Sequence, residues 1–165
     1  MKSSHRGDRH WLRVIALILQ GAGLVLLSLV FVYAGAVKAM RPDLFAFDIL
    51  NFDIVPWDAG VWIANVLPWM EIFVGVGIII PTTRIPALGL CVLLLAGFTA
   101  LLVWTLMRGL EISCGCLGTG DGDLHAAIWR NAVLILIGGM LAWTEWRARH
   151  QKASDRLAVR SERAS

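Results

Sequence analysis

Val14-Ile-Ala-Leu-Ile-Leu-Gln-Gly-Ala-Gly-Leu-Val-Leu-Leu-Ser-Leu-Val-Phe-Val-Tyr-Ala-Gly-Ala-Val37 contains no charged residue in 24 positions, more than the roughly 20 a helix needs to cross a bilayer core. In lipid every backbone N–H and C=O must be bonded internally, and a single apolar run achieves that only as a helix. Ile85–Met107 repeats the pattern over 23 residues, and Val61–Thr83 matches it with one charge, Glu71. Leu124–Thr144 is long enough as well, although it carries His125 and Arg130. The reading is an all-α polytopic membrane protein, a bundle of four transmembrane helices spanning about 14–37, 61–83, 85–107 and 124–144. Composition agrees: 58% of the 165 residues are hydrophobic and 16% charged, against about half and about a quarter in soluble domains. Four crossings leave no length for a separate catalytic domain.

Charge placement orients the bundle, because cytoplasmic flanks collect Lys and Arg. Eleven of the fifteen basic residues fall before span one, between spans two and three, or after span four. Lys38, Arg41, Arg108 and Arg130 fall on the other side. Residues 1–13 and 147–165 are therefore read as cytoplasmic basic termini flanking a transmembrane domain at 14–146. The net charge of +3 follows from topology and gives no reason to expect nucleic-acid binding. A basic leader before an apolar run also suits a cleaved signal peptide, but 24 residues exceed the usual 7–15-residue hydrophobic core of such a leader. Span one is expected to stay.

The connector from Arg41-Pro42-Asp43 to Asp58 begins with a helix-start signal. As a helix it sets Leu44, Phe47, Leu50 and Ile54 on one side and Phe45, Ile49 and Phe52 on the other, which fits an interfacial segment between lipid and bundle. Trp57 and Trp62 suit an aromatic belt. Pro68 removes a backbone donor inside span two and predicts a bend. Pro81–Pro86 makes a short turn, so spans two and three should be antiparallel neighbours. The Gly/Asp segment 118–123 lacks the Lys-Ser/Thr of a phosphate loop and the closing Glu of a calcium loop, and reads as a linker.

Two features carry chemistry. Cys114-Gly115-Cys116 lies beyond span three, on the oxidising face if the charge asymmetry holds. A disulfide across one residue is tight, and a strained accessible bridge suits exchange better than stapling. Gly115 eases the turn. A metal finds only two soft ligands here, with His125 a third at best, where structural zinc wants four; an inert oxidised pair is the remaining alternative. Cys91, within span three, reads as packing. Glu71 is the second feature. An ionised carboxylate deep in a span costs about 2.5 kcal/mol or more, so it must be neutral, paired or turned to a polar interior. Lys38 and Arg130 enter from the outer side and reach inward along their stems, and Asn65 and Asn131 are candidates to complete a hydrogen-bonded patch. Cations close to the thiols would favour thiolate, and the outer half of the bundle is a place to hold a quinone or receive a mixed disulfide. The plain alternative is that Glu71 only locks helices together.

Tyr33-Ala34-Gly35-Ala36-Val37-Lys38, Val55-Pro56, Leu67-Pro68-Trp69-Met70-Glu71 with Gly75, Arg108-Gly109, Ile112-Ser113-Cys114-Gly115-Cys116-Leu117-Gly118 and Arg130-Asn131 together resemble the MauE family of methylamine utilisation membrane proteins, related to the wider DoxX-like four-helix proteins. The likeness covers about residues 15–145. One departure is Cys-Gly-Cys-Leu-Gly here where the family usually has Cys-Gly-Cys-Phe-Gly; both thiols are kept. The resemblance implies a bacterial inner-membrane protein that supports maturation, in the periplasm, of the disulfide-rich small subunit of methylamine dehydrogenase, beside a thioredoxin-like partner. Two other functions stay open from the residues: a structural or transport subunit in which Glu71 is the working group, and a quinone-linked thiol oxidoreductase. A single thiol pair is fewer than the two that disulfide-generating quinone reductases generally use, which makes direct quinone reduction a variant of the first reading.

Overall fold

The computed structural model describes residues 4–52, 55–108 and 124–164. Among them the chain forms five helices: α1 Ser4–Met40, α2 Pro42–Asn51, α3 Trp57–Ile79, α4 Arg84–Met107 and α5 Leu124–Ala164. Four of these, all but α2, are long and apolar enough to cross a membrane. Helix α1 packs on α3, α3 on α4, α4 on α5, and α5 back on α1, which closes a four-membered ring.

The ring surrounds a core in which Leu27, Ile78, Leu88 and Cys91 are completely buried. Large apolar side chains cover the outside as well: Leu17, Leu29, Phe73, Leu93 and Leu136 are all exposed. That distribution suits lipid, where apolar groups gain nothing by hiding from their surroundings. Two threonine hydroxyls in the spans bond within their own helix, Thr99 to the Leu95 carbonyl at 2.6 Å and Thr105 to that of Leu101 at 3.0 Å, so they need no partner across the bundle.

Helix α2 opens with Pro42 and Asp43 in its first turn, where a missing N–H and a negative charge are both favourable. Phe45 and Ala46 turn inward, as does Phe52 just past its end, while Leu44 and Phe47 face outward. Phe52 joins Leu102, Ala127, Leu101 and Leu124 in one apolar cluster. The connector, the end of α4 and the start of α5 therefore share one end of the bundle, hereafter the Lys38 end.

Helix boundaries differ from the spans expected from sequence in three places. Helix α1 runs from Ser4 to Met40 and so overruns the expected 14–37 at both ends. Helix α3 stops at Ile79, ahead of the Pro81–Thr83 turn, in which Thr83 Oγ1 donates to the Gly77 carbonyl at 3.0 Å. Helix α5 does not stop near 144 but continues to Ala164, 41 residues in all. No Gly or Pro occurs after Gly139 to break it, and the stretch is rich in Ala, Arg, Leu and Glu, which favour helix. At about 1.5 Å per residue it is roughly 60 Å long, about twice a bilayer core, so its basic half must project from the membrane.

Candidate functional site

The site begins with two glycines. A Cβ added to Gly35 would lie 2.6 Å from the Pro68 carbonyl oxygen and 3.1 Å from Glu71 Cβ, and one on Gly75 would lie 2.7 Å from Val32 Cγ2 and 2.9 Å from the Ser28 carbonyl. No side chain fits at either contact, so each helix leaves the other's backbone room for close approach. Lys38 is one turn beyond Gly35 and Glu71 one turn before Gly75. The close crossing of α1 and α3 thus carries these two charges to each other.

Lys38 Nζ donates to Glu71 Oε1 at 2.5 Å, with the two side chains 6% and 14% exposed. The ammonium also lies 5.1 Å from the centre of the Phe45 ring and 5.8 Å from that of Phe98, so aromatic faces supply part of the solvation it loses. From α5, Arg130 and the buried Asn131 complete the lining of a pocket of about 60 Å³ that Lys38 and Glu71 also line. Two of its polar atoms are buried without a hydrogen bond: Glu71 Oε2 and Asn131 Nδ2. Buried polar atoms are nearly always bonded, and each exception asks for an explanation.

Of the residues singled out from sequence, Lys38, Glu71, Arg130 and Asn131 come together here. Asn65 does not: it is exposed, and its Nδ2 donates to the Val61 carbonyl of its own helix at 2.8 Å. Six residues before Glu71, it falls about 120° away around the helix. Cys114 and Cys116 lie outside the described residues. The described positions nearest to them in sequence, Arg108 and Leu124, both belong to the Lys38 end. No group of three or more potential metal ligands occurs among the described residues.

Three features escaped the sequence reading. A second cavity, of about 290 Å³, lies between α2, α3 and α4 and shares Leu94 and Phe98 with the polar pocket. Asp48 lines this second cavity, and burial raises its carboxyl above the usual range. The third is a polar network at the opposite end. There Arg84 Nη1 donates to Glu145 Oε1 at 2.8 Å, and Gln20 Nε2 donates to the same oxygen at 3.1 Å. Arg84 also donates to the carbonyls of Ile78 at 3.2 Å and Ile79 at 3.3 Å, and Arg149 to that of Pro81. Glu145 follows the last expected membrane residue and reads as flank, while Gln20 is a lone amide inside an apolar run; that lone amide was the available signal.

Four lipid-compatible helices around a buried ion pair define a multi-pass membrane protein with a polar site between its helices. The chain belongs to the MauE family: the model for methylamine utilisation protein MauE matches residues 13–144. It is 34% identical over 97 residues to methylamine utilization protein MauE of Paracoccus denitrificans, covering 58% of this chain and 52% of that protein. The chain thus spans about half the length of that relative. No solved structure matches.

Proposed function

We propose that this protein is a redox component of the bacterial inner membrane, whose Cys114/Cys116 pair exchanges disulfides with a thioredoxin-like protein on the outer side and so supports maturation of an exported enzyme. Methylamine utilisation, by way of the methylamine dehydrogenase small subunit, is the setting that the family suggests. The observation that carries the reading is the family match across 13–144, which takes in both thiols. The Lys38 end supplies a fitting environment, with Arg108 and Arg130 at or near the two helix ends that flank the thiol segment. The outward orientation rests on the eleven basic residues that flank the other side.

In such exchange one thiolate of the pair attacks a sulfur of the partner's disulfide, forming a mixed disulfide and releasing the partner's other sulfur as thiolate. The second cysteine then displaces the partner. Two electrons and two protons pass from the Cys114/Cys116 dithiol to the partner disulfide, or the reverse if the pair begins oxidised.

The test is one maturation assay on two variants. Cys114→Ser/Cys116→Ser is expected to abolish maturation while the protein remains in the membrane, and Glu71→Gln to reduce it less. Normal maturation by the double serine variant overturns the reading. A greater loss with Glu71→Gln favours the rival in which Glu71 lines a transport route.

A further inference from the structure

We propose that the cleft between α2, α3 and α4, together with the polar pocket behind it, binds a membrane-soluble quinone/quinol: a flat ring whose oxygen reaches Asn131 and Glu71 while its apolar chain leaves toward lipid. The outer cavity, about 290 Å³, is close to the lower end of ligand-pocket sizes, about 300 Å³. Phe45, Phe52 and Phe98 line it, offering ring faces and edges to a flat partner. At its rim Ile63 and Leu93 are exposed on the lipid-facing surface, so an occupant can enter sideways from the bilayer.

The polar end selects the head group. Phe98 and Leu94 line both cavities, so a single layer of side chains stands between the cleft and the pocket of Lys38, Glu71, Arg130 and Asn131, and a head group that turns the Phe98 ring aside meets that pocket. Asn131 is 97% buried by its 3% exposure, and its Nδ2 lacks an acceptor, while Glu71 Oε2 lacks a partner. An oxygen that accepts from Asn131 as a carbonyl, and as a hydroxyl also donates to Glu71, satisfies both atoms. A quinone and its quinol are the two states of such an oxygen. Arg130, which makes no hydrogen bond or ion pair among the described residues, adds a positive charge that favours electron-rich oxygen. An alkane or acyl chain alone would leave all of these unpaired. Binding here involves residues of all five helices and does not depend on the thiol pair being active.

The test uses full-length protein in phosphatidylcholine nanodiscs with an azido-benzoquinone photolabel, its attachment sites mapped by mass spectrometry, and decyl-benzoquinone and its quinol as competitors. Saturable labelling of α2 and α4 peptides, displaced by either competitor, is expected. Gly97 lines the cleft, and a Cβ there meets nothing within 4 Å. Gly97→Leu should therefore fold normally, fill the space and weaken binding about tenfold or more. Asn131→Ala should weaken it about twofold to tenfold, the worth of one hydrogen bond. Non-saturable labelling, unchanged affinity in Gly97→Leu, or equally effective displacement by decanol, which has the hydroxyl but no ring, overturns the proposal. Gly97→Leu leaves the polar residues intact, so the test remains decisive if Asn131→Ala proves unstable.

Discussion

The two ends of the bundle both bury charge, and they treat it differently. At the Arg84 end one guanidinium bonds Glu145 and two carbonyls at the end of α3, while Gln20 closes on the same carboxylate oxygen. Those carbonyls are ones a helix end leaves without partners, so the network finishes α3 and ties it to α1 and α5. At the Lys38 end one ion pair forms, but Glu71 Oε2 and Asn131 Nδ2 stay unbonded beside a void. A completed network locks helices; an incomplete one beside a cavity has capacity left for something else. The contrast is between a completed network at one end and an open one at the other.

The largest effect on this contrast should come from Lys38→Met. It leaves Glu71 buried beside an apolar neighbour, and breaking a buried pair costs about 3–5 kcal/mol. Lys38→Met/Glu71→Leu should recover most of that loss in denaturant unfolding of the detergent-solubilised protein; a double variant no more stable than the single one would show that the pair itself is indispensable to folding. Gly75→Ala comes next, at about 1–3 kcal/mol, because its new methyl meets Val32 and the Ser28 carbonyl. The same variant should also loosen the Lys38–Glu71 contact, readable as faster hydrogen exchange near residues 35–38.

Glu145→Gln at the completed end should cost about 1–2 kcal/mol, since the charge-assisted bond from Arg84 is lost while both groups are partly exposed, at 22% and 15%. It should leave quinone photolabelling unchanged, and a change would break the division between the two ends. The smallest effect belongs to Asp48. Burial raises its carboxyl in the folded state, so the folded protein holds that proton more tightly than the unfolded chain does. Stability is therefore lost as pH rises from the ordinary carboxylate value, about 4, through the raised one. Asp48→Asn should remove this slope, which unfolding curves measured between acidic and neutral pH will show.

Much of the architecture was legible in the residues. The four crossings follow from uncharged length alone, and α2 from Pro42-Asp43 with its two apolar faces. The meeting of Lys38 with Glu71 was legible for an energetic reason: a lone carboxylate in an apolar run needs a partner, and few cations were within reach. Arg130 and Asn131 reach the same pocket, but the hydrogen-bonded patch expected of them does not form, since Glu71 Oε2 and Asn131 Nδ2 are both left unbonded. Asn65 stays apart for a reason its spacing already carries: six residues set it about 120° around the helix from Glu71, and its amide is satisfied within its own turn. The continuation of α5 was hidden because a hydropathy reading ends where the membrane ends, while helix propensity does not. The cleft was not legible at all, since a void depends on how α2, α3 and α4 tilt against one another. Glu145 was passed over one residue beyond the expected span.

Disulfide exchange through Cys114 and Cys116, the proposed activity, is best probed by trapping. Cys116→Ser and Cys114→Ser are each expressed in the native membrane, free thiols are blocked by acid quench and alkylation, and the protein is isolated without reductant. One of the two variants is expected to carry a reductant-sensitive covalent partner of thioredoxin-like fold, attached from the outer side through its remaining thiol of the pair. Two variants that both sit in the membrane and carry no such adduct would contradict it.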